Sequence, residues 1–344
     1  MGRDGRRTRS VLGAVGPRAL AWLWLACVAG AAAGARCDGP HSAGYRVLHD
    51  DRGGPIAVWY PSAQPERLTE YVVGGFNGRI AKDAPALDCP GTPLLLFSHG
   101  LGGCGVQSVY VTESLARRGY VVAAPDHRDA SLCAIERARA NREGVAQPSF
   151  LEPEKWTDRT HLDRRNDLLA AIEVVTADAH LRQIVDATRI GAIGHSLGGY
   201  AVLGLAGAWP AWKYHAVAAV VAMSPYLAPF LAHDSLKAID VPVMYQGAVF
   251  DWGITPALEG PHGAYARTRP PKYFVKLRGG THFEWTNLLC ADQPDVATCL
   301  KVHPNASLVA RYAIAFFDRH LKGRHALLLE SSGTGVDRYL FAVP

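Results

Sequence analysis

A serine flanked by glycines follows an apolar run near the middle of the chain. The apolar run 189–193 leads directly into GHSLG at positions 194–198, which has the pattern Gly-x-Ser-x-Gly. The glycines of this pattern allow a sharp turn between a strand and a helix, and the turn lifts the serine hydroxyl above the end of the sheet. Small residues from 200 to 207 predict the helix that the turn requires. Ser196 is therefore the predicted nucleophile.

A serine hydroxyl is a weak nucleophile at neutral pH, so it needs a histidine base, and the histidine needs an acid that fixes its tautomer. After a serine of this kind, the acid and then the histidine follow along the chain. Asp251 comes shortly after the predicted strand 241–245, at the rim where such sheets bind ligands. Asp234, Asp240 and Glu259 are rival acids that lack this placement. Asp251 is the predicted acid.

The predicted base is His282. It lies in GGTHF at 279–283, directly after the predicted strand 273–277, on a loop that glycines leave free to turn. His262 and His303 also follow Asp251, but neither comes directly after a predicted strand. His99, His127 and His195 precede the acid and have the wrong order for the base.

Two backbone amides are needed to bind the negative oxygen of a tetrahedral intermediate. Leu197 directly follows the nucleophile, and the second donor is expected in SHGLGG at 98–103, after the predicted strand 94–97. We assign this second amide to Leu101.

Trp252, Phe283 and Trp285 lie in or beside the predicted catalytic loops and are the candidates for an apolar substrate pocket, although aromatic residues occupy protein cores equally readily.

The elements around these residues predict an α/β fold, with a mostly parallel central sheet and helices on both faces. Apolar runs predict helices at 163–175 and 307–321 and strands at 56–60, 94–97, 120–124, 189–193, 217–223, 241–245 and 273–277. Residues 36–344 are predicted to form a single domain. Two long polar or Pro/Gly-rich connections interrupt it, at 128–162, which is predicted to be a long loop or lid, and at 255–272.

Residues 1–35 have the character of a secretory signal. Five arginines precede an uncharged run from 19 to 35 that ends in Ala-Gly-Ala. A membrane anchor and a twin-arginine export signal are the alternatives. Beyond residue 35 the chain has 31 basic and 30 acidic residues, which indicates no nucleic-acid partner. We expect a secreted or periplasmic protein.

Six cysteines remain beyond the leader, an even number that favours disulfides in an exported chain. Cys290 with Cys299 is the best-supported pair, and Cys104 with Cys133 and Cys37 with Cys89 are the further predicted pairs. The chain has no C-x-x-C or H-E-x-x-H spacing, so a structural zinc site is not expected.

With these residues in place, the chain resembles the α/β-hydrolase superfamily. It is most similar to the branch that holds platelet-activating-factor acetylhydrolases and predicted dienelactone hydrolases, and is related to cutinase-like polyester hydrolases. The resemblance rests on the block 94–129, on GHSLGG at 194–199, on QGAVFDWGITP at 246–256 and on GGTHFEWTNLLC at 279–290. It implies a serine esterase with Ser196, Asp251 and His282 as its triad and with neither metal nor cofactor. Dienelactone hydrolases use a cysteine, so Ser196 argues against their activity.

The resemblance and the residues together predict cleavage of carboxylic esters through an acyl-enzyme. Short or medium acyl esters of lipid-like molecules are the expected substrates, so the expected partners are small-molecule or lipid esters, with transient contact to a lipid interface. Three alternatives stay open: a cutinase-like polyester hydrolase, an acyltransferase that uses the same triad, and a secreted binding protein that has kept the fold without the chemistry. The sequence leaves the oligomeric state open.

Overall fold

The structure is a computed structural model, and it describes residues 1, 2, 37, 39–71, 77–132 and 147–343. The chain divides into two compact units, Met1–Asp38 and Gly39–Pro344. Apart from residues 1 and 2, the predicted leader 1–35 lies outside the described residues. Within the described ranges, no helix is long and apolar enough to cross a membrane.

The second unit is built on an eleven-stranded sheet in the order β11-β10-β9-β8-β7-β5-β6-β2-β1-β4-β3. Its strands are β1 (Ser42–His49), β2 (Pro55–Ser62), β3 (Arg67–Glu70), β4 (Asn77–Lys82), β5 (Thr92–Ser98), β6 (Val121–Pro125), β7 (Val185–His195), β8 (Val217–Met223), β9 (Val243–Ala248), β10 (Lys272–Leu277) and β11 (Val336–Ala342). The strands from β6 through β5, β7, β8 and β9 to β10 run parallel, while β2 and β11 are antiparallel to their neighbours β6 and β10.

The described helices are α1 (Val109–Arg117), α2 (Leu162–Ala177), α3 (Leu197–Leu203), α4 (Ala228–Ala232), α5 (Thr255–Glu259), α6 (Ala264–Arg267), α7 (Val296–Val302) and α8 (Pro304–Lys322). Alternate residues of a strand point to opposite faces, so the sheet has two separate apolar cores. Leu95 and Phe97 pack with α1 and α8, whereas Leu94 and Leu96 pack with α2 and α3. A mostly parallel sheet with helices on both faces confirms the predicted α/β fold.

The seven predicted strands and the two long predicted helices are all present, with small differences at their ends. The predicted helix 307–321 corresponds to α8, and Gly323 ends it in the left-handed conformation with φ 65°. The connection 255–272 contains the short helices α5 and α6. Residues 133–146 of the predicted lid lie outside the described residues, so the lid stays a prediction.

The predicted pair Cys290–Cys299 is confirmed as a disulfide, with its Cα atoms 5.3 Å apart. Cys37, Cys89 and Cys104 are also disulfide-bonded. Cys133 is outside the described residues, and the other two pairings stay predictions.

Candidate active site

Ser196 lies at a strained turn between β7 and α3. Its backbone has φ 54° and ψ −116°, a left-handed conformation that non-glycine residues rarely adopt. A Cβ atom on Gly194 would collide with the carbonyl of Gly198, and one on Gly198 would collide with the carbonyl of Ser98. The two glycines are therefore required for the close approach that holds the serine above the end of the sheet.

The strand register brings the three predicted triad residues to one edge of the sheet. His195 pairs with Met223, Met223 with Gln246, and Ala248 with Leu277, so β7, β8, β9 and β10 end side by side. The loops that follow these strands carry the side chains that meet there. This placement at the carboxyl ends of parallel strands is where open α/β sheets bind ligands.

His282 lies between the serine and the acid. Its Nε2 atom is 3.1 Å from Ser196 Oγ, and its Nδ1 atom is 3.2 Å from Asp251 Oδ1. Asp251 is 3% exposed. The acid and histidine loops are joined by a hydrogen bond of 2.8 Å from the Phe250 amide to the Gly280 carbonyl. The three side chains thus have the mutual geometry of a nucleophile, a general base and an orienting acid.

The rival candidates have other partners. The carboxylates of Asp234, Asp240 and Glu259 form ion pairs with Lys237, Lys213 and Lys276, respectively. His303 Nε2 lies 3.0 Å from a carboxylate oxygen of Asp292. His262 is exposed. None of these five residues contacts Ser196 through the hydrogen bonds of the described residues.

Ser224 is a polar contact of the triad that the sequence analysis missed. It directly follows β8, with φ 42°, and its hydroxyl donates a hydrogen bond to Asp251 Oδ2. The same Oγ atom lies 2.8 Å from His282 Nδ1, where it can accept a hydrogen bond from the Nδ1–H group. Ser224 therefore bridges the acid and the base. The available signal was its position directly after a predicted strand, which is the placement that favoured Asp251.

Ser224→Ala is expected to lower kcat/KM for a carboxylic ester about tenfold, because the imidazole loses one of the two groups that orient it. The change is expected in kcat, with KM close to that of the wild type. Steady-state kinetics on a soluble ester measures it.

Ser235→Ala is the matched control for this prediction, because the buried Ser235 Oγ has no hydrogen-bond partner among the described residues. It is expected to keep wild-type kinetics. Equal rates for Ser224→Ala and Ser235→Ala would contradict a role for Ser224 in orienting His282.

His195 supports the histidine loop from beneath. The amide Nε2 of Gln107 is 3.1 Å from His195 Nδ1, and His195 Nε2 is 2.9 Å from the carbonyl of His282. The amide nitrogen of Gln107 can only donate, so His195 accepts at Nδ1 and donates at Nε2, which is the neutral form. Burial, followed by the neighbouring His282, lowers the pKa of His195 to about 3. His195 is thus a neutral support for the base.

Both predicted oxyanion donors, Leu197 and Leu101, belong to segments that lie close to Ser196. Leu197 is the first residue of α3, so its amide has no acceptor within the helix. We call residues 98–103 the oxyanion loop. This loop passes close to the nucleophile, because a Cβ atom on Gly100 would lie 3.5 Å from Ser196 Cβ. The Leu101 amide directly follows that point of closest approach.

An open cleft of about 480 Å³ lies beside Ser196. Residues of the triad line it together with Leu101, Phe150, Leu197, Tyr226, Phe250, Trp252, Gly253 and Ile254. Most of these side chains are apolar, and Trp252 is 77% exposed at the mouth. The cleft suits an apolar group attached to the reacting carbonyl.

The structure separates the three predicted substrate-binding aromatics. Trp252 lines the cleft, while Phe283 is half-exposed beside His282, with ring centroids 5.7 Å apart, and is not part of the cleft wall. Trp285 is fully buried, and its Nε1 donates a hydrogen bond of 2.8 Å to Gln246 Oε1. Trp285 therefore belongs to the core, as the alternative interpretation held, and does not face the cleft.

Aromatic cleft residues that the sequence analysis missed come from three separate loops. Phe150 lies in the connection 128–162, Tyr226 follows β8, and Phe250 directly precedes Asp251. The Tyr226 hydroxyl donates a hydrogen bond of 2.7 Å to the Phe150 carbonyl, which ties two of these loops together.

Among the described residues, no cluster of three or more histidine, cysteine or acidic side chains could hold a metal ion.

Comparison with known proteins identifies a matching family model and a curated relative. A family model described as "Platelet-activating factor acetylhydrolase, isoform II" matches residues 56–177, from β2 to the end of α2. The matched segment includes the oxyanion loop and ends before Ser196. A curated relative from Gallus gallus, "Platelet-activating factor acetylhydrolase", is 26% identical over 171 residues, an alignment that covers 40% of this chain and 40% of that protein.

The chain thus matches less than half the length of this curated relative. The α/β fold, the matched family and this relative agree with the motifs at 94–129, which lie within the matched segment. These matches confirm the predicted resemblance of the chain to the α/β-hydrolase serine esterases of the platelet-activating-factor acetylhydrolase type.

Proposed function

We propose that this protein is a serine hydrolase that cleaves carboxylic esters through Ser196, His282 and Asp251. The observation that carries the proposal is the pair of contacts at His282, 3.1 Å to the serine hydroxyl and 3.2 Å to a buried carboxylate, beside an apolar cleft. A binding protein that had lost the chemistry would have no reason to keep this arrangement at a strained serine. The family matches support the same reaction class.

In the proposed first step, Ser196 Oγ attacks the ester carbonyl carbon while His282 Nε2 accepts the hydroxyl proton. The amides of Leu197 and Leu101 bind the resulting oxyanion. The intermediate collapses to an acyl-enzyme as His282 returns the proton to the leaving alcohol. Water, deprotonated by His282, then attacks the acyl-enzyme and releases the carboxylic acid. Asp251 stabilises the imidazolium that forms in each step.

The cleft favours esters whose acyl or alcohol part is apolar. Its exposed apolar residues, Leu101, Phe250 and Trp252, would contact the substrate on entry. A volume of about 480 Å³ accommodates a short or medium acyl chain. We therefore propose short or medium acyl esters of lipid-like molecules as substrates.

The Cys290–Cys299 disulfide supports an oxidising location, so we propose that the activity is secreted or periplasmic.

The proposal is tested by hydrolysis of p-nitrophenyl esters from acetyl to dodecanoyl, with Ser196→Ala as the blank. We expect turnover that depends on Ser196 and is fastest with a short or medium acyl chain. A maximum at dodecanoyl would instead favour a lipase with a larger acyl site. Equal release of p-nitrophenol by wild type and Ser196→Ala across the series would overturn the proposed esterase.

A further inference from the structure

Three backbone amides of the oxyanion loop donate hydrogen bonds within the protein. The Gly100 amide donates to Gln107 Oε1 at 3.0 Å, the Gly102 amide to Asp129 Oδ2 at 2.9 Å, and the Gly103 amide to the Gly100 carbonyl at 3.1 Å. Buried amides in folded proteins are nearly always paired. Between residues 100 and 103, the Leu101 amide is the exception, since no described residue accepts a hydrogen bond from it. Of the amides of residues 100–103, it is the one that remains available to a ligand.

A buried arginine on α2 holds the carbonyls of the same loop. Arg164 is 0% exposed. Its Nη1 donates to the His99 carbonyl at 2.6 Å, and its Nη2 is 3.3 Å from the Gly100 carbonyl oxygen, which lies 2.7 Å from His99 Nδ1 as well. The peptide bond is planar and trans, so the N–H of Leu101 points opposite to the C=O of Gly100. The contacts of Arg164 and His99 with that carbonyl therefore direct the Leu101 amide to the other side of the loop.

Asp129 joins the arginine to the loop from a second side. Both of its carboxylate oxygens lie 2.8 Å from Arg164 Nη2, and one of them also accepts the Gly102 amide. Burial alone would raise the pKa of Asp129, but the Arg164 guanidinium, the neighbouring histidines and the Gly102 amide together outweigh burial and hold that pKa well below its usual range. The carboxylate is thus charged at neutral pH, and it compensates a cation that would otherwise be costly to bury.

We propose that Arg164 and Asp129 are positioning residues of the reaction, which aim the Leu101 amide at the oxyanion formed on attack by Ser196. This inference rests on the proposed ester hydrolysis. A donor aimed before the reaction starts stabilises the transition state without reorganisation, so an error of about 1 Å in its position is costly. The pair acts through the loop and does not itself touch the substrate.

The test compares an ester with the matching thionoester, in which sulfur replaces the carbonyl oxygen. Sulfur is larger and accepts hydrogen bonds poorly, so the oxyanion donors favour the ester. Arg164→Met is expected to lower kcat/KM for the ester about 100-fold, which is the loss typical of one oxyanion donor. The thionoester is expected to lose much less, so the ester/thionoester rate ratio should fall about tenfold. General damage to the site would lower both rates equally.

Arg46→Met is the matched control, because Arg46 is also buried but interacts with Tyr60 and Asp178 on another part of the sheet. It is expected to keep the wild-type rate ratio even if it lowers the melting temperature. Asp129→Asn and Arg164→Lys keep most of the local volume, and they carry the test if Arg164→Met does not fold. We expect Arg164→Lys to retain a rate ratio between those of Arg164→Met and wild type.

The outcomes separate this inference from the function on which it rests. A wild-type protein without Ser196-dependent turnover of the ester would overturn both. Normal wild-type turnover, with the ester/thionoester ratio of wild type in Asp129→Asn, Arg164→Lys and any folded Arg164→Met, would overturn the positioning role alone. A ratio that falls in these variants and stays constant in Arg46→Met is the result we expect.

Discussion

Replacing His282 with alanine is expected to lower kcat for ester hydrolysis by about 10⁵- to 10⁶-fold, as removal of the base does in a serine hydrolase. Without the imidazole, Ser196 has no proton acceptor within hydrogen-bond distance among the described residues. The apolar cleft remains, so substrate affinity is expected to change little. Steady-state kinetics with the best p-nitrophenyl ester, together with thermal unfolding to verify the fold, measures the effect.

Two other histidines provide the controls for this prediction. His262 and His303 share the chain order that favoured His282, but the structure places them outside the triad. His262→Ala and His303→Ala are expected to retain the wild-type kcat within about twofold, because surface changes away from the site have small effects. A large loss of kcat in either variant, with normal activity in His282→Ala, would show that the base was assigned to the wrong residue.

The proximity of Ser196, His282 and Asp251 could be predicted because the proposed chemistry imposes a chain order and a place for each side chain. The glycine-flanked serine required a strand before it and a helix after it, and β7 and α3 occupy those positions. Asp251 and His282 were selected because each follows a strand of a parallel sheet. The register of β9 and β10 brings both loops to one edge, which is why this local rule identified two residues that are 31 positions apart.

Other parts of the site depend on side-chain direction, which the sequence does not reveal. Trp285 is close to His282 in the chain, yet its ring packs in the core while Trp252 faces the cleft. Phe150 and Tyr226 are 76 positions apart, yet they share a hydrogen bond and an edge-to-face ring contact. The outer strands of the sheet, β1, β3, β4 and β11, carry several exposed residues, so they lack the fully apolar runs that revealed the central strands.

The burial of Arg164 is a feature that the apolar pattern of its helix does not reveal. The helix 163–175 was predicted from its apolar face, and this pattern says nothing about the arginine in its first turn. The structure buries Arg164 because the carbonyls of His99 and Gly100 and the carboxylate of Asp129 surround its guanidinium. Burial of an arginine requires such partners, and those partners come from loops distant in the sequence.

The free energy of unfolding is expected to fall steeply as the pH drops below about 6.5, because four histidines are buried around the site. Burial lowers the pKa of His99 and His127 well below the usual value, that of His161 to about 4 and that of His195 to about 3. Unfolding releases each ring to a pKa of about 6.5. Between these values the unfolded chain binds the protons and the native protein does not, so stability falls as the pH falls.

Buried acids act in the opposite direction, because burial raises the pKa of Asp167 as well as that of Glu113. Burial raises the pKa of Glu113 to about 7, so its contribution to stability grows as the pH falls from 7 toward its unfolded value of about 4.5. For the four histidines and Glu113, the uptake on unfolding is therefore roughly three protons between pH 6 and pH 5, which corresponds to about 4 kcal/mol per pH unit. A typical domain stability of about 5–15 kcal/mol would be lost within a few pH units. Urea unfolding at a series of pH values measures this slope.

His161 offers the sharpest variant for this prediction. It has φ 56°, a conformation that asparagine tolerates, and its Nε2 atom has no hydrogen-bond partner among the described residues. His161→Asn removes one titrating group, so it is expected to reduce the slope by about 1.4 kcal/mol per pH unit, even if the lost ring packing lowers the stability at every pH. His180→Asn at an exposed position is the matched control. A slope that is the same in His161→Asn, His180→Asn and wild type would show that the buried histidines do not set the acid limit, and would leave the paired carboxylates as its cause.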